Sequence, residues 1–260
     1  MNVITIYENG LVEPFGLYVI RDSEHPFMAD MEEYSEEIPG VDGEIYFGAR
    51  FKATPFKLQC INRGFLSSAE KETLKISVSG QLYQLKEYDL LVCDWMPDKA
   101  WRIRLAGKPE MPDIPGRVKL TIPLKYQPFR IGVVENYLES NGNQIQYKSV
   151  EMAEVLEPDQ TEGIIVNHGT VETPLKIEVV GPVVNPSVSV GGHVFAYTGT
   201  LTASDTLIID TGKLTATYNG VNAIAHITGL APGIKLALGG TTVTAAGTGT
   251  TTFKWHELWA

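Results

Sequence analysis

Ile164-Ile-Val-Asn-His-Gly-Thr170, Thr173-Pro-Leu-Lys-Ile-Glu-Val-Val-Gly181 and Val184-Asn-Pro-Ser-Val-Ser-Val190 decide the fold class. Phe195-Ala-Tyr-Thr-Gly-Thr-Leu201 and Asp205-Thr-Leu-Ile-Ile-Asp210 continue the pattern. Each is a short alternating or wholly apolar run closed by Gly, Pro or Asn, with few titratable groups between. β-Branched side chains at alternate positions suit a pleated, half-buried surface, and the closing residues supply turn backbone. Outward from there, turn signals recur at Gly191-Gly192, Gly199, Thr211-Gly212, Asn219-Gly220, Pro232-Gly233, Gly239-Gly240 and Gly247. A spacing of roughly 8–12 residues between turns predicts an all-β sandwich.

The first half is also mainly β. Ile4, Ile6 and Tyr7 before Asn9-Gly10 predict an opening strand and turn. Residues 22–44, rich in Asp, Glu, Ser, Pro and Gly, read as a long polar loop that orders against a neighbour. Glu44–Arg50 and Pro55–Asn62 read as strands, with Tyr46, Phe47, Phe51, Phe56 and Leu58 as core candidates. Ser67-Ser-Ala-Glu70 resembles a capping box, and Leu74, Val78 and Leu82 follow at helical spacing. A helix of about three turns is predicted there. Trp95–Lys99 reads as the turn of a hairpin between Leu90–Asp94 and Ala100–Leu105, and Arg117–Leu124 as another strand. Asn141-Gly142 predicts an arm-like hairpin of Val133–Leu138 with Gln144–Tyr147.

The chain has 260 residues, 43% apolar and 20% charged, enough for two globular domains. Its net charge of −10 is uneven: residues 1–40 carry −8, 41–130 carry +5, 131–162 carry −6, and the rest −1. No basic stripe with interleaved aromatics favours nucleic acid. No apolar run reaches transmembrane length, and Met1-Asn-Val-Ile-Thr-Ile-Tyr-Glu8 lacks a basic region before an apolar core, so no signal peptide is expected.

Candidate chemistry is sparse. Cys60 and Cys93 read as buried free thiols, and His25, His168, His193, His226 and His256 are too scattered for a zinc site. Gly247-Thr-Gly249 lacks the lysine of a phosphate loop and reads as a tight turn. Asp205 and Asp210 could be imagined as a glycosidase pair, but fit a turn and a strand end better. His168, between Asn167 and Gly169, reads as a turn histidine. No catalytic, cofactor-binding or metal residue is assigned, no cofactor is implied, and the chain is not expected to be an enzyme. Trp95, Trp101, Trp255 and Trp259 suit core or subunit contacts. Trp255 and Trp259 also define the alternative function, a carbohydrate-binding β-sandwich that recognises host cell-surface polysaccharide.

Read in order, these segments resemble the distal tail protein (Dit) family of long-tailed phages. Ile38-Pro-Gly-Val-Asp-Gly43, Gly48-Ala-Arg-Phe51, Pro55-Phe-Lys-Leu58 and Tyr126-Gln-Pro-Phe129 are similar to its first half. Asn167-His-Gly-Thr170, Pro174-Leu-Lys-Ile177, Asn185-Pro186, Tyr197, Gly199, Leu201, Asp205, Leu207 and Asn219-Gly220-Val-Asn-Ala223 are similar to its second. The resemblance implies an N-terminal ring-forming β-sandwich over 1–132, with one helix and an extended hairpin. It implies a C-terminal galectin-like sandwich over 133–260, with 133–162 as an arm or linker at its start.

By the same resemblance the chain is a structural virion protein at the tail tip, assembled in the host cytoplasm. A homo-hexameric ring joins the tail tube protein to the tail-tip hub or tail-associated lysin, with a receptor-binding protein as a further neighbour. DNA passes through the ring without specific binding, and no membrane insertion is expected. The 22–44 loop and the 133–147 hairpin are the expected inter-subunit contacts. Larger family members carry sugar-binding insertions, for which this chain has no room.

Overall fold

The computed structural model describes residues 3–7, 11–20, 30–39, 42–85, 89–140, 144–148, 155–158, 162–247 and 249–260. The chain divides into two compact units, Met1–Ile131 and Gly132–Trp259. Among the described residues there is one α-helix, and the rest of the regular structure is almost all strand.

The first unit contains β1 (Val3–Ile6), β2 (Leu11–Glu13), β3 (Leu17–Val19), β4 (Met31–Glu37), β5 (Glu44–Phe51) and β6 (Thr54–Ile61). After α1 (Ser68–Gln84) come β7 (Asp89–Cys93), β8 (Met96–Leu105), β9 (Asp113–Ile114) and β10 (Arg117–Gly132). The main sheet runs β10-β6-β3-β2-β1-β7-β8, and β8 pairs again with β10, so it closes on itself. Closure turns alternate side chains inward. Along β6, Thr54, Phe56, Leu58 and Cys60 are buried, and along β10 so are Val118, Leu120, Ile122 and Leu124. Ile4, Ile6, Leu17, Leu91 and Ile103 complete this core, against which Val78 and Leu82 of α1 pack.

The capping box is present. Glu70 N–H donates to the Ser67 hydroxyl, and Ser67 N–H donates to the Glu70 carboxylate at 2.8 Å. The helix is longer than three turns, with 17 residues. Its exposed face carries Ile76 and Tyr83 as well as polar groups, so the apolar spacing marks only its buried side. The β7–β8 hairpin also turns more tightly than expected. Met96–Lys99 already belongs to β8, leaving Asp94 and Trp95 as the turn.

Two expectations change in this unit. The 22–44 segment is not all loop, because β4 lies inside it and pairs with β5; residues 21–29 and 40–41 lie outside the described residues, as does Asn9-Gly10. Phe56 and Leu58 are core residues, but Tyr46, Phe47 and Phe51 are exposed. Their strand belongs to a hairpin that pairs with no third strand among the described residues.

The second unit begins with β11 (Asn136–Ser140), β12 (Gln144–Lys148), β13 (Val155–Pro158), β14 (Glu162–Asn167) and β15 (Leu175–Val180). It continues through β16 (Val183–Val184), β17 (Ser187–Val190), β18 (His193–Tyr197), β19 (Thr200–Leu201), β20 (Thr206–Asp210) and β21 (Thr215–Tyr218). Last come β22 (Val221–Asn222), β23 (Ile227–Thr228), β24 (Gly239–Ala246), β25 (Thr250–Trp255) and β26 (Leu258–Trp259). One sheet is ordered β13-β12-β11-β25-β15-β20-β21-β22 and the other β14-β24-β17-β18-β23. Leu138, Ile177, Leu207 and Phe253 from the first meet Ile165, Val188, Phe195 and Val243 from the second in one buried cluster. This is the sandwich that alternation predicts.

The 133–147 hairpin is not an arm. β11 pairs with β12 on one side and with β25 on the other, which makes it an interior strand of the larger sheet. Leu138 explains why: it is fully buried, so detaching the strand would open the core. The Asn141-Gly142 turn and residues 149–154 and 159–161 lie outside the described residues.

Candidate interaction surface

The β4–β5 hairpin is the part of the molecule whose composition its own fold does not use. Its pairing runs from Met31↔Phe51 to Glu37↔Glu44, with a bulge between Tyr34 and Ser35. Directly paired residues share a face. One face therefore carries Met31, Phe51, Glu33, Tyr46, Glu37 and Glu44, and the other Glu32, Arg50, Tyr34, Glu36 and Ile45. Both are open to solvent, with Tyr46 60% and Phe47 64% exposed.

A two-stranded ribbon is marginal in water unless something covers it. Two local devices hold this one in shape. Arg50 pairs with Glu32 at 2.8 Å and lies over the Tyr34 ring, 5.4 Å from its centroid. The Arg50 hydrogen bond first, then that of Tyr34, keeps the Glu32 carboxyl below its ordinary range. So exposed a pair fixes geometry more than it adds stability. At the base, Phe51 meets Phe129 edge-on at 5.4 Å, and Lys52 N–H donates to the Asp30 carbonyl at 2.9 Å. The ribbon is thus aimed by its root and left uncovered along its length.

Elsewhere the expected candidates are occupied by structural work. Asp205 is buried in a turn, where its carboxylate accepts from Asn219 Nδ2 at 2.8 Å and from the Thr202 N–H and hydroxyl at 2.7 Å. Those bonds, led by that of Asn219, hold it well below the usual carboxylate range. Asp210 accepts from the Gly212 and Lys213 N–H groups, both at 2.9 Å. Both carboxylates are taken up by hydrogen bonds of the turns at either end of β20. Gly247 and Gly249 lie between β24 and β25, with Thr248 outside the described residues. His168 Nδ1 lies 3.1 Å from Glu257 Oε1, which also accepts the His168 backbone N–H. Cys60 and Cys93 are buried free thiols, and burial pushes the first up to about 12 and the second to about 11.

The tryptophans separate. Trp255 is 6% exposed and belongs to the sandwich core. Trp259 is half-buried, its ring edge packed where a side chain on Gly132 would lie. Trp255 thus offers no open ring to a sugar and sits where the core reading puts it. Trp101 lies under the Arg130 guanidinium at 4.8 Å, while Trp95 is half-exposed in the β7–β8 turn. Among the described residues no group of three or more His, Cys, Asp or Glu is placed to hold a metal ion, and no helix is long and apolar enough to cross a membrane.

Comparison with known proteins bears on this arrangement. Residues 168–259 match the family model of the siphovirus-type tail component, C-terminal domain. Among solved structures, the chain is similar to the SPP1 Dit (gp 19.1) protein, described as a paradigm of the hub adsorption apparatus in phages infecting Gram-positive bacteria. The TM-score is 0.64 at 14% identity, over 94% of this chain and 94% of that one. It is also similar to a chain of the phage P2 baseplate in its activated conformation with Ca, with a TM-score of 0.45 at 9% identity, over 88% and 87%. No curated protein matches the sequence. At such identity the structural likeness is one of fold, and it extends across both units. The resemblance read from the sequence is thus met by a family model over residues 168–259 and by a shared fold over 94% of the chain.

Proposed function

We propose that this chain, whose C-terminal domain is that of a siphovirus-type tail component, is a structural adaptor at the distal end of a phage tail. Copies of it close head-to-tail into a hexameric ring between the tail tube and the tail-tip hub, leaving a channel for DNA. The observation that carries this reading is the β4–β5 hairpin, a folded ribbon with six apolar side chains exposed: Met31, Tyr34, Ile45, Tyr46, Phe47 and Phe51. A ribbon rooted at Phe51–Phe129 and uncovered beyond it is suited to lie against another molecule. When the covering surface is a different part of an identical chain, the contact is heterologous and a closing rotation gives a ring.

The two domains divide the work in this reading. The closed N-terminal sheet is the ring segment, and the C-terminal sandwich is available to peripheral tail proteins. Native mass spectrometry and negative-stain imaging of the full chain over a wide concentration range test it. A closed ring is the expected particle. A strict monomer at the highest concentration, with the hairpin fully folded, overturns the reading.

A further inference from the structure

The exposed hairpin has a counterpart in charge on the same unit. β6 and β10 are paired from Lys119↔Ile61 to Tyr126↔Thr54, and their inward residues are all buried. Their outward residues are mixed, with basic side chains among them. Lys57 on β6 and Arg117, Lys119 and Lys125 on β10 share this outer surface with Gln59, Thr121 and Pro123. Ile61 is flanked there by Tyr18 of β3, over whose ring Arg63 sits at 3.8 Å. One carboxylate, Glu110, joins them through its pairing with Thr121. The surface is thus a cationic sheet face. Lys57, Lys119 and Lys125 have no ion pair among the described residues.

The hairpin carries the opposite sign. Glu33, Glu37 and Glu44 lie on the face that also bears Met31, Tyr46 and Phe51, again with no ion pair among the described residues. Glu37 is directly opposite Glu44, an arrangement that costs stability unless a cation comes between them. Spacing agrees as well as sign. Glu33 and Glu37 are four residues apart on one strand, and the Lys119 row is four residues from the Pro123↔Lys57 row. At ~3.3 Å per residue both separations are about 13 Å. The lysine stems, the exposed Pro55 and the half-buried Pro123 and Ile61 supply apolar surface between the ammonium heads, a match for the Tyr46 and Met31 side chains between the carboxylates.

We propose that the outer β6–β10 face receives the acidic face of the β4–β5 hairpin from a second copy of this chain. This rests on the ring reading above and gives it a named donor and acceptor. The two surfaces differ, so each copy offers one of each and the contact propagates around a ring. Complementary charge also sets the register in which the ribbon lies down.

A charge swap on the full chain tests it. One variant carries Lys57→Glu and Lys119→Glu, the other Glu33→Lys and Glu37→Lys. Each alone is expected to self-associate about tenfold or more weakly than the natural chain, because like charges then meet at the contact. An equimolar mixture restores assembly, since each variant's arm matches the other's acceptor. Recovery in the mixture also shows that both variants fold. Carbodiimide coupling in a mixture of isotope-labelled and unlabelled natural chains is expected to join Glu33, Glu37 or Glu44 of one copy to Lys57, Lys119 or Lys125 of another. If rings form but survive both sets of substitutions, or the coupled pairs lie elsewhere, the acceptor assignment is wrong and the ring stands. If the natural chain neither assembles nor couples between copies at high concentration, the ring reading falls and takes this contact with it.

Discussion

Asn219 donates its side-chain amide to Asp205 at 2.8 Å and, through its carbonyl oxygen, accepts the Thr206 N–H at 2.9 Å. Two turns of the C-terminal sandwich are thereby tied through one carboxylate that is useful only while ionised. Asp205 titrates well below an ordinary carboxylate because the fold bonds its charged form. Its contribution is therefore fully present above the unfolded value of about 4 and is lost as pH falls toward the lower folded value. Asp205→Asn is expected to be less stable than the natural chain at pH 7, with the gap narrowing as pH is lowered below 4. Urea unfolding at several pH values checks this; a gap that stays constant would remove the charge from the account.

Gly181 and Thr202 approach so closely that a β-carbon on Gly181 would overlap the Thr202 carbonyl oxygen. The Gly181 N–H meanwhile donates to the Asp205 carbonyl at 3.1 Å, so the strand cannot simply retreat. Gly181→Ala is expected to cost on the order of 2 kcal/mol or more by overpacking against backbone. Denaturant unfolding measures it, with Gly192→Ala as a comparison in open space where only the φ of +82° matters.

Ser67→Ala removes one side of the capping box while leaving the helix sequence intact. A loss of about 1 kcal/mol is expected, from a cap worth roughly 0.5–2 kcal/mol. Chemical denaturation of the variant is the check, and an unchanged midpoint would mean that packing of Val78 and Leu82 alone holds the helix.

Trp255 and Trp95 give opposite outcomes. Trp255→Ala is expected to destabilise by roughly 3–5 kcal/mol, as for other large core aromatics. Trp95→Ala, half-exposed in a turn, should stay within about 0.5 kcal/mol. Thermal unfolding of the pair separates a core tryptophan from a surface one. A folded Trp255→Ala chain that had lost only glycan binding would restore the sugar-platform reading.

Tyr46→Ser with Phe47→Ser is expected to leave monomer stability within about 0.5 kcal/mol, since both rings are exposed. The same variant should assemble more weakly. Sedimentation over a concentration series reads the second effect and calorimetry the first.

The sandwich was legible because its signal is local and repeated. Ile177, Val179, Leu207 and Ile209 alternate in the sequence and are buried in the structure for the same reason. The helix start was legible because a capping box lies within four residues. Closure of the N-terminal sheet was not, since β1 pairs in parallel with β7 across more than 80 residues of chain, beyond any local pattern. Tyr46, Phe47 and Phe51 misled in an instructive way. A strand with exposed apolar side chains has the composition of a core strand, and hydropathy cannot tell the two apart. The β11–β12 hairpin failed conversely: its polar turn suggested an arm, while Leu138 was already committed to the interior.

The closed sheet of the N-terminal unit has a consequence for the chain before it meets any partner. With the ends of that sheet joined, β4 and β5 are, apart from the two-residue β9, the strands there whose outer hydrogen-bonding edges stay open among the described residues. Open edges recruit stray strands and seed fibres. Five glutamates, at 32, 33, 36, 37 and 44, and the bulge after Tyr34 lie on this ribbon. On the proposed ring reading they act as gatekeepers, keeping newly made copies apart by repulsion until a cationic surface of the right shape cancels it.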